Sequence, residues 1–338
     1  MLPFASLALL GSSVLCGAVG TWMARAVARR TGVVDRPNPI VPQHVRPVAH
    51  LGGMGVAAGI ALVAAGLKAV VNLGWVEADE PPATSGLIAP AVLFLLLGLY
   101  DDLRPLSTGR KFVLQACIAA LATSLGVVCP LSGYMLIDCP LSLVWILILV
   151  NATNLTDVCD GLVAGLAAIS LIIAAQMNSP VTNLALLSAG VCVGFLVFNR
   201  PPASVFLGDS GSHLLGYLIA AFTLYGAAPA HLWPFLGKIV LATAVLLFEL
   251  VFLIVVRTQR GIPPWRGSPD HFSLRLQAGG LSRWTTDLVA WSVAALCGVA
   301  ALGLDRFSAG GQAAILVCVA VFFALAWRSL LPLEVRTA

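Results

Sequence analysis

Long apolar runs constrain this chain more than any other feature. Of its 338 residues, 59% are hydrophobic and only 10% are charged, and the mean hydropathy is +0.96. These values lie well outside the range of soluble domains. In lipid, a single run of chain satisfies its own backbone hydrogen bonds only as a helix. The composition therefore predicts an all-α polytopic integral membrane protein.

Eleven apolar runs, separated by charged or Pro/Gly-rich breaks, predict about 11 transmembrane helices. Some runs are shorter than the roughly 20 residues of a straight span. No internal repeat divides the chain, so residues 1–338 are predicted to form a single membrane-embedded domain. The runs cover residues 3–24, 52–73, 86–100, 112–129, 141–156, 161–178, 182–198, 211–229, 235–256, 286–304 and 310–331.

The distribution of Lys and Arg predicts how the chain is oriented. Sixteen of its 19 basic residues lie after the first, third, seventh and ninth runs or near the C-terminus. Because basic residues near span ends are retained on the cytoplasmic side, the N-terminus is predicted to be outside and the C-terminus cytoplasmic. The predicted cytoplasmic loops are about 25–51, 101–111, 156–161, 199–211 and 257–285.

Five aspartates lie at the cytoplasmic ends of the predicted spans, and the first two, Asp101 and Asp102, are adjacent. Neighbouring carboxylates repel each other unless a cation or a shared proton lies between them. Lys111 follows one loop later and is suited to hold phosphate oxygens. The alternative is a charged anchor at the membrane interface. The other three aspartates are Asp157, Asp160 and Asp209.

A polar stripe ends the fifth run. Asn151, Asn154 and Asp157 recur every three residues and would share one helical face. Asp160 follows beside Gly161, where the helix can break and let the backbone approach a ligand. Asparagines also join helices to each other in lipid, but this combination with aspartates favours metal or phosphate binding.

Two further loops carry polar residues. The first, Gly208 to Ser212, is predicted to begin a helix whose free N–H groups are suited to bind an anion. Asp209 is suited to hold the metal of that anion, and Phe206 is suited to stack on a nucleobase. The alternative is a turn with an N-cap. The second loop, 257–283, contains five arginines with Asp270 and His271, which indicates either an anion-binding surface or positive-inside charge alone.

These motifs occur in the order found in the polyprenyl-phosphate N-acetylhexosamine-1-phosphate transferases of glycosyltransferase family 4, which the chain resembles over most of its length. It is more similar to the UDP-GlcNAc:undecaprenyl-phosphate GlcNAc-1-phosphate transferases than to the phospho-MurNAc-pentapeptide transferase. The segments that carry the resemblance are Asp35 to Gly53, Asp101 to Lys111, Asn154 to Gly161, Asn199 to Gly211, and Asp270-His271.

The resemblance implies an enzyme that transfers a sugar-1-phosphate, most closely GlcNAc-1-phosphate, from a UDP-sugar to polyprenyl (undecaprenyl) phosphate. UMP is released, in the first membrane step of cell-envelope glycan synthesis. The implied cofactor is Mg²⁺ or Mn²⁺, and the implied partners are the lipid, the UDP-sugar and a second copy of the chain, with no nucleic acid. The implied location is the bacterial inner membrane, with the active site facing the cytoplasm.

The resemblance also implies roles for single residues. Asp101 and Asp102 would bind or deprotonate the lipid phosphate, and Asp209 would be the third catalytic residue. Asp209 and Asp157 would bind the metal. Phe206 would pack on uracil and His271 would contact the sugar diphosphate. The full set of implied substrate-binding residues is Lys111, Asn154, Asp157, Asp160, Asn199, Phe206, His271 and Arg275.

The chain also departs from the family pattern. Val158 and Cys159 stand inside the Asp-Gly block, His271 replaces a run of several histidines, and the segment from Asn38 to His44 lacks a basic pair. The missing histidines favour a simple UDP-N-acetylhexosamine as the donor. Three alternatives stay open: a CDP-alcohol phosphotransferase, a transporter whose intramembrane acids include Glu249, and a non-catalytic family member.

Overall fold

The computed structural model describes residues 4–36, 46–72, 85–177, 181–225 and 232–335. Within these ranges the chain is almost entirely helical, so the predicted all-α class is confirmed. The segment from Asn38 to His44, which lacks the basic pair of the family pattern, lies outside the described residues. The helices are α1 (Phe4–Thr31), α2 (Gly52–Asn72), α3 (Ser85–Leu103), α4 (Thr108–Ser124), α5 (Met135–Thr156), α6 (Leu162–Gln176), α7 (Thr182–Asn199), α8 (Gly208–Leu224), α9 (Leu232–Ala242), α10 (Ala244–Gln259), α11 (Phe272–Ala278), α12 (Arg283–Gly303) and α13 (Ala309–Leu330).

Ten of the eleven predicted runs each fall on one helix of the described chain, and the ninth falls on two, α9 and α10. By length and hydropathy, six helices of the described chain can cross a membrane, or seven if α9 and α10 form one bent span. The protein is therefore a multi-pass membrane protein. The number of about 11 spans and the orientation stay predictions. The six spans are Gly52–Ala69, Gly86–Leu103, Met135–Thr156, Thr182–Asn199, Arg283–Arg306 and Ala309–Leu330.

Helix α8 lies at the centre of the bundle, and almost all of its residues are buried. It packs against α3, α5, α2 and α6. Glycines allow this close approach: a Cβ atom at Gly98 of α3 would collide with the backbone of Asp209 and Ser210, and one at Gly216 would lie 2.7 Å from the Cα atom of Val150.

The ninth run, predicted as a single span, is broken. Helices α9 and α10 meet at Thr243 with a bend of 76°. A break in lipid frees backbone groups that need new partners, and the Ser170 hydroxyl donates to the Ala242 carbonyl (2.8 Å). The apolar pattern continues through this point without Gly or Pro, so the sequence carried no signal for the break.

A small set of backbone pairings brings the loop before α2 to the start of α8. Strands β1 (Val34–Asp35) and β2 (Val48–Ala49) pair antiparallel, and Ala49 forms a parallel bridge with Val205. The Gly52 N–H donates to the Phe206 carbonyl (2.9 Å), and the Gly53 N–H donates to the Leu207 carbonyl (2.8 Å). These pairings place His50, the first of the two residues between β2 and α2, against the end of α3.

Candidate active site

Four of the predicted site residues form one connected cluster at the ends of α3, α4, α5 and α8. The Lys111 ammonium lies 2.9 Å from Asp101 Oδ2 and also forms an ion pair with Asp209 Oδ2. Asn154 Nδ2 donates to Asp209 Oδ1 (2.8 Å) and to the Ser212 hydroxyl (3.0 Å). Lys111 thus bridges two carboxylates that are far apart in sequence.

Asp102 has a different environment from its neighbour Asp101. Its Oδ1 and Oδ2 atoms accept hydrogen bonds from the backbone N–H groups of Asp209 (2.8 Å) and Ser210 (3.1 Å), which are in the first turn of α8. The prediction that this helix N-terminus is open to a ligand anion is therefore wrong for Asp209 and Ser210. The anion that their N–H groups bind is the Asp102 carboxylate itself.

His50 also belongs to the site, although the sequence indicated it only as part of the segment from Asp35 to Gly53 and gave it no role of its own. Its Nε2 atom lies 3.2 Å from Asp102 Oδ1, and 26% of its side chain is exposed. Burial disfavours the imidazolium, but the hydrogen bond and the negative charge of Asp102 outweigh burial and raise the pKa of His50 above its ordinary value. The two glycines that follow Leu51 were the available signal, because they let this segment lie directly on α8.

Asp157 ends α5 and is half-buried beside the cluster. Burial, followed by the negative charge of Asp209, raises its pKa to about 8, and Asp102 and Asp160 act in the same direction. Burial is therefore the main cause of the raised pKa, and the neighbouring carboxylates add to it. A divalent cation would offset the negative charge of these neighbours, as would a proton.

Asp160 and Asn199 connect the turn after α5 to the loop before α8. Asp160 Oδ2 accepts from the Ala203 N–H (3.0 Å) and lies 3.5 Å from Arg283 Nη1. Asn199 accepts from the Gly161 N–H (2.9 Å) and donates to the Val205 carbonyl (2.8 Å), and Gly161 has a φ of +78°. Both side chains are buried and hold the shape of these loops, and their predicted contact with substrate stays a prediction, as does that of the half-buried Phe206.

His271 contacts Glu249, a residue that the sequence indicated only as an intramembrane acid of a transporter. Its Nδ1 atom lies 2.7 Å from Oε1 of Glu249, which is fully buried in α10. The Phe272 N–H donates to the other carboxylate oxygen (3.2 Å). Glu249 therefore fixes the orientation of the imidazole at the start of α11, as a carboxylate does for a functional histidine. This contact with His271 accounts for the buried Glu249 without invoking a transport path.

Arg275, predicted as a substrate ligand, is instead a scaffold residue. It is 1% exposed, and its guanidinium donates to the carbonyls of Leu330 (3.1 Å), Leu331 (3.0 Å) and Leu333 (3.0 Å). It also donates to Asp270 Oδ1 (2.7 Å). These contacts attach the His271 loop to the end of α13 and leave little of the guanidinium free for a substrate.

These features define the class of protein: a helical multi-pass membrane protein with a lysine-bridged aspartate cluster at one end of its helix bundle. The chain belongs to glycosyl transferase family 4, whose family model matches residues 84–227.

Its relatives include proteins with related names. A decaprenyl-phosphate N-acetylglucosaminephosphotransferase of Mycolicibacterium smegmatis is 30% identical over 370 residues, covering 96% of this chain and 88% of that protein. A Bacillus subtilis protein named "probable undecaprenyl-phosphate N-acetylglucosaminyl 1-phosphate transferase" is 29% identical over 311 residues, or 86% and 83% of the two chains. A phospho-N-acetylmuramoyl-pentapeptide-transferase of Halalkalibacterium halodurans is 36% identical over 173 residues, 49% and 51% of the two chains.

Proposed function

We propose that this protein transfers GlcNAc-1-phosphate from UDP-GlcNAc to a polyprenyl phosphate and releases UMP. Family membership and the names of the two relatives matched over most of the chain support this activity. The observation that carries the proposal is the position of Lys111 between Asp101 and Asp209, because both substrates present phosphate oxygens that need a positioned cation.

In the proposed reaction, an oxygen of the lipid phosphate attacks the β-phosphorus of UDP-GlcNAc. The bond from that phosphorus to the bridging oxygen breaks, and the electron pair leaves with UMP. Transfer of this kind depends on positioning and charge neutralisation more than on covalent chemistry. Lys111 binds the phosphate oxygens, Asp101 orients Lys111 and accepts a proton from the lipid phosphate, and Asp102 positions Asp209 through the first turn of α8.

The residues present fit the proposed Mg²⁺ or Mn²⁺. No group of three or more His, Cys, Asp or Glu side chains arranged to hold a metal occurs among the described residues. Mg²⁺ is commonly bound by one or two carboxylates together with substrate phosphates. Asp209 and Asp157 are the carboxylates that would hold it, and the negative charge of Asp209 adds to burial in raising the pKa of Asp157. When bound, the metal supplies charge neutralisation for the diphosphate.

An apolar cavity of about 330 Å³ lies between α10 and α13, lined on one side by Leu247, Phe248 and Val251 and on the other by Phe323 and Trp327. The same α10 carries Glu249, which orients His271. In the proposed function, this cavity receives part of the prenyl chain of the acceptor, since an apolar chain is favourably buried against such residues.

The orientation in the proposal follows the basic residues: the Lys111 cluster faces the cytoplasm of a bacterial inner membrane, where soluble UDP-sugars are available. The N-terminus is then outside and the C-terminus cytoplasmic. Association into a homodimer stays a prediction.

The test is an assay of the purified protein in detergent with undecaprenyl phosphate, Mg²⁺ and a panel of UDP-sugars, with a CDP-alcohol as a further donor and the released nucleotide identified by chromatography. Release of UMP that requires both the lipid and UDP-GlcNAc is the expected result. Release of UDP would mean ordinary glycosyl transfer and would overturn the mechanism. Release of CMP from a CDP-alcohol would favour that alternative, and no nucleotide from any donor would favour a non-catalytic family member.

A further inference from the structure

A second set of polar side chains lies one helical turn deeper on the three helices that carry Lys111, Asn154 and Asp209. Its members, one on each of α4, α5 and α8, are Gln115, Asn151 and His213, which we name the inner triad. Asn151 Nδ2 lies 3.0 Å from Gln115 Oε1, and Gln115 Nε2 lies 3.1 Å from His213 Nε2. Gln115 and His213 are fully buried.

The hydrogen bonds determine which atoms of the inner triad donate. Asn151 Nδ2 also donates to the Leu147 carbonyl (2.8 Å), which can only accept, so this atom is the amide nitrogen. Gln115 Oε1 must then accept from Asn151, which leaves Gln115 Nε2 as the donor to His213. His213 Nε2 is therefore the acceptor, and the neutral imidazole carries its proton on Nδ1.

The stability of the bundle does not explain a histidine at this position. The protonated Nδ1 atom of His213 is buried and has no hydrogen-bond partner among the described residues. A buried donor without a partner costs free energy, so apolar side chains of similar size in place of both His213 and Gln115 would be more stable. What the histidine provides is the acceptor for Gln115, and a polar contact of this kind specifies one arrangement of the helices.

That contact lies next to the reaction centre. Polar contacts join α4 to α8 at two successive levels of the described structure: the Lys111–Asp209 ion pair and, one turn deeper, the Gln115–His213 hydrogen bond. We propose that His213 is a positioning residue for the phosphosugar transfer, because its bond to Gln115 sets the rotation of α4 and thereby the place of Lys111 against Asp209. This inference rests on the proposed function. His213 itself touches no substrate, since it is fully buried.

The kinetic test compares three variants. His213→Leu removes the unpartnered Nδ1–H but leaves the buried Gln115 Nε2 without its acceptor, so these two effects on stability should largely offset and the melting temperature should stay close to that of the wild type. We expect kcat to fall by about 10- to 100-fold, with a smaller change in KM for UDP-GlcNAc. His213→Gln places an amide oxygen near the position of Nε2 and should restore most of kcat. Tyr217→Phe removes another buried, unpartnered polar atom from the same helix and should leave kcat unchanged.

A second readout does not require turnover. The rate at which an amine-reactive reagent labels Lys111, measured by peptide mass spectrometry, should rise in His213→Leu and return towards the wild-type rate in His213→Gln. Wild-type kcat and labelling in His213→Leu would overturn the inference, as would equal losses in the Leu and Gln variants with lowered melting temperatures. If the wild type releases no UMP, the proposed function fails, while the labelling of Lys111 still decides the role of His213.

Discussion

At the scale of single residues, the adjacent carboxylates Asp101 and Asp102 have separate tasks. Asp101 contacts Lys111, whereas Asp102 is almost completely buried and binds the first turn of α8 and His50. The sequence indicated that a pair of acids was present but not that their environments differ. The N–H groups that Asp102 accepts from lie 107 and 108 residues away along the chain, and no local pattern reports such a contact.

Replacing these acids should separate catalysis from stability. We expect Asp102→Asn and Asp209→Asn each to lower turnover by about a hundredfold or more, because each removes a charge at the reaction centre. Only Asp102→Asn should also lower stability, by about 1 to 3 kcal/mol, because it weakens the charged cap of a buried helix. Thermal denaturation in detergent, measured beside UMP release, checks this. An equal loss of stability in Asp209→Asn would contradict the assigned role of Asp102.

The His50–Asp102 pair predicts a pH dependence of stability. Because the folded-state pKa of His50 is raised above 6.5, the pair stabilises the fold fully below that pH. This contribution, of about 1 kcal/mol, is lost as the pH rises through the folded-state pKa. Melting temperatures of the wild type and His50→Gln, measured from pH 5.5 to about pH 9, should therefore converge as the pH rises. A difference that widens with pH would show that the imidazolium is not stabilising.

At the scale of elements, hydropathy located the long helices well, and ten of the eleven apolar runs each fall on a single helix of the described chain. It could not report two features of the His271 region. The 76° bend at Thr243 occurs within an unbroken apolar run, and Glu249 is buried where its only visible signal was an isolated acid. An apolar pattern indicates only that a segment lies in lipid or in the protein interior, and this environment is the same before and after the bend. The pattern does not indicate which residue a buried polar group contacts.

The attachment of the His271 loop to the end of α13 can be tested at Arg275. Arg275→Leu leaves the buried Asp270 carboxylate without one of its charged partners, so we expect a loss of about 3 to 5 kcal/mol in stability. Arg275→Lys, which keeps the charge but not the planar set of donors, should lose less and keep KM for UDP-GlcNAc unchanged.

The exposed Arg266 lies in the same loop, and Arg266→Ala is the matched control, with wild-type stability expected. Thermal denaturation in detergent and the KM for UDP-GlcNAc are the two measurements. A rise in KM in Arg275→Lys without any loss of stability would restore Arg275 as a substrate ligand.

At the scale of the whole molecule, the predicted site residues come together at one end of the helix bundle. Asp101, Lys111, Asn154 and Asp209 belong to different helices, yet the alternating direction of successive helices brings them to one end of the bundle. The distribution of basic residues had placed the same helix ends in the cytoplasm. That these residues share one end of the bundle therefore followed from the sequence, and the side of the membrane on which that end lies stays a prediction. The internal contacts of the cluster required the packing of α8 against α3 and α5.

The orientation itself can be measured with one cysteine immediately before α4 and one in the loop between α4 and α5. This helix has 17 residues and is about 25 Å long, close to the thickness of the hydrocarbon core, so Ser107 and the loop residue Tyr134 should lie on opposite sides of the membrane. Both positions are exposed. In spheroplasts, a membrane-impermeant maleimide should label Tyr134→Cys before lysis and Ser107→Cys only after it, with the parent chain measured in parallel for its own cysteines. The reverse pattern would turn the cluster to the outside, away from cytoplasmic UDP-sugars, and would contradict the proposed donor.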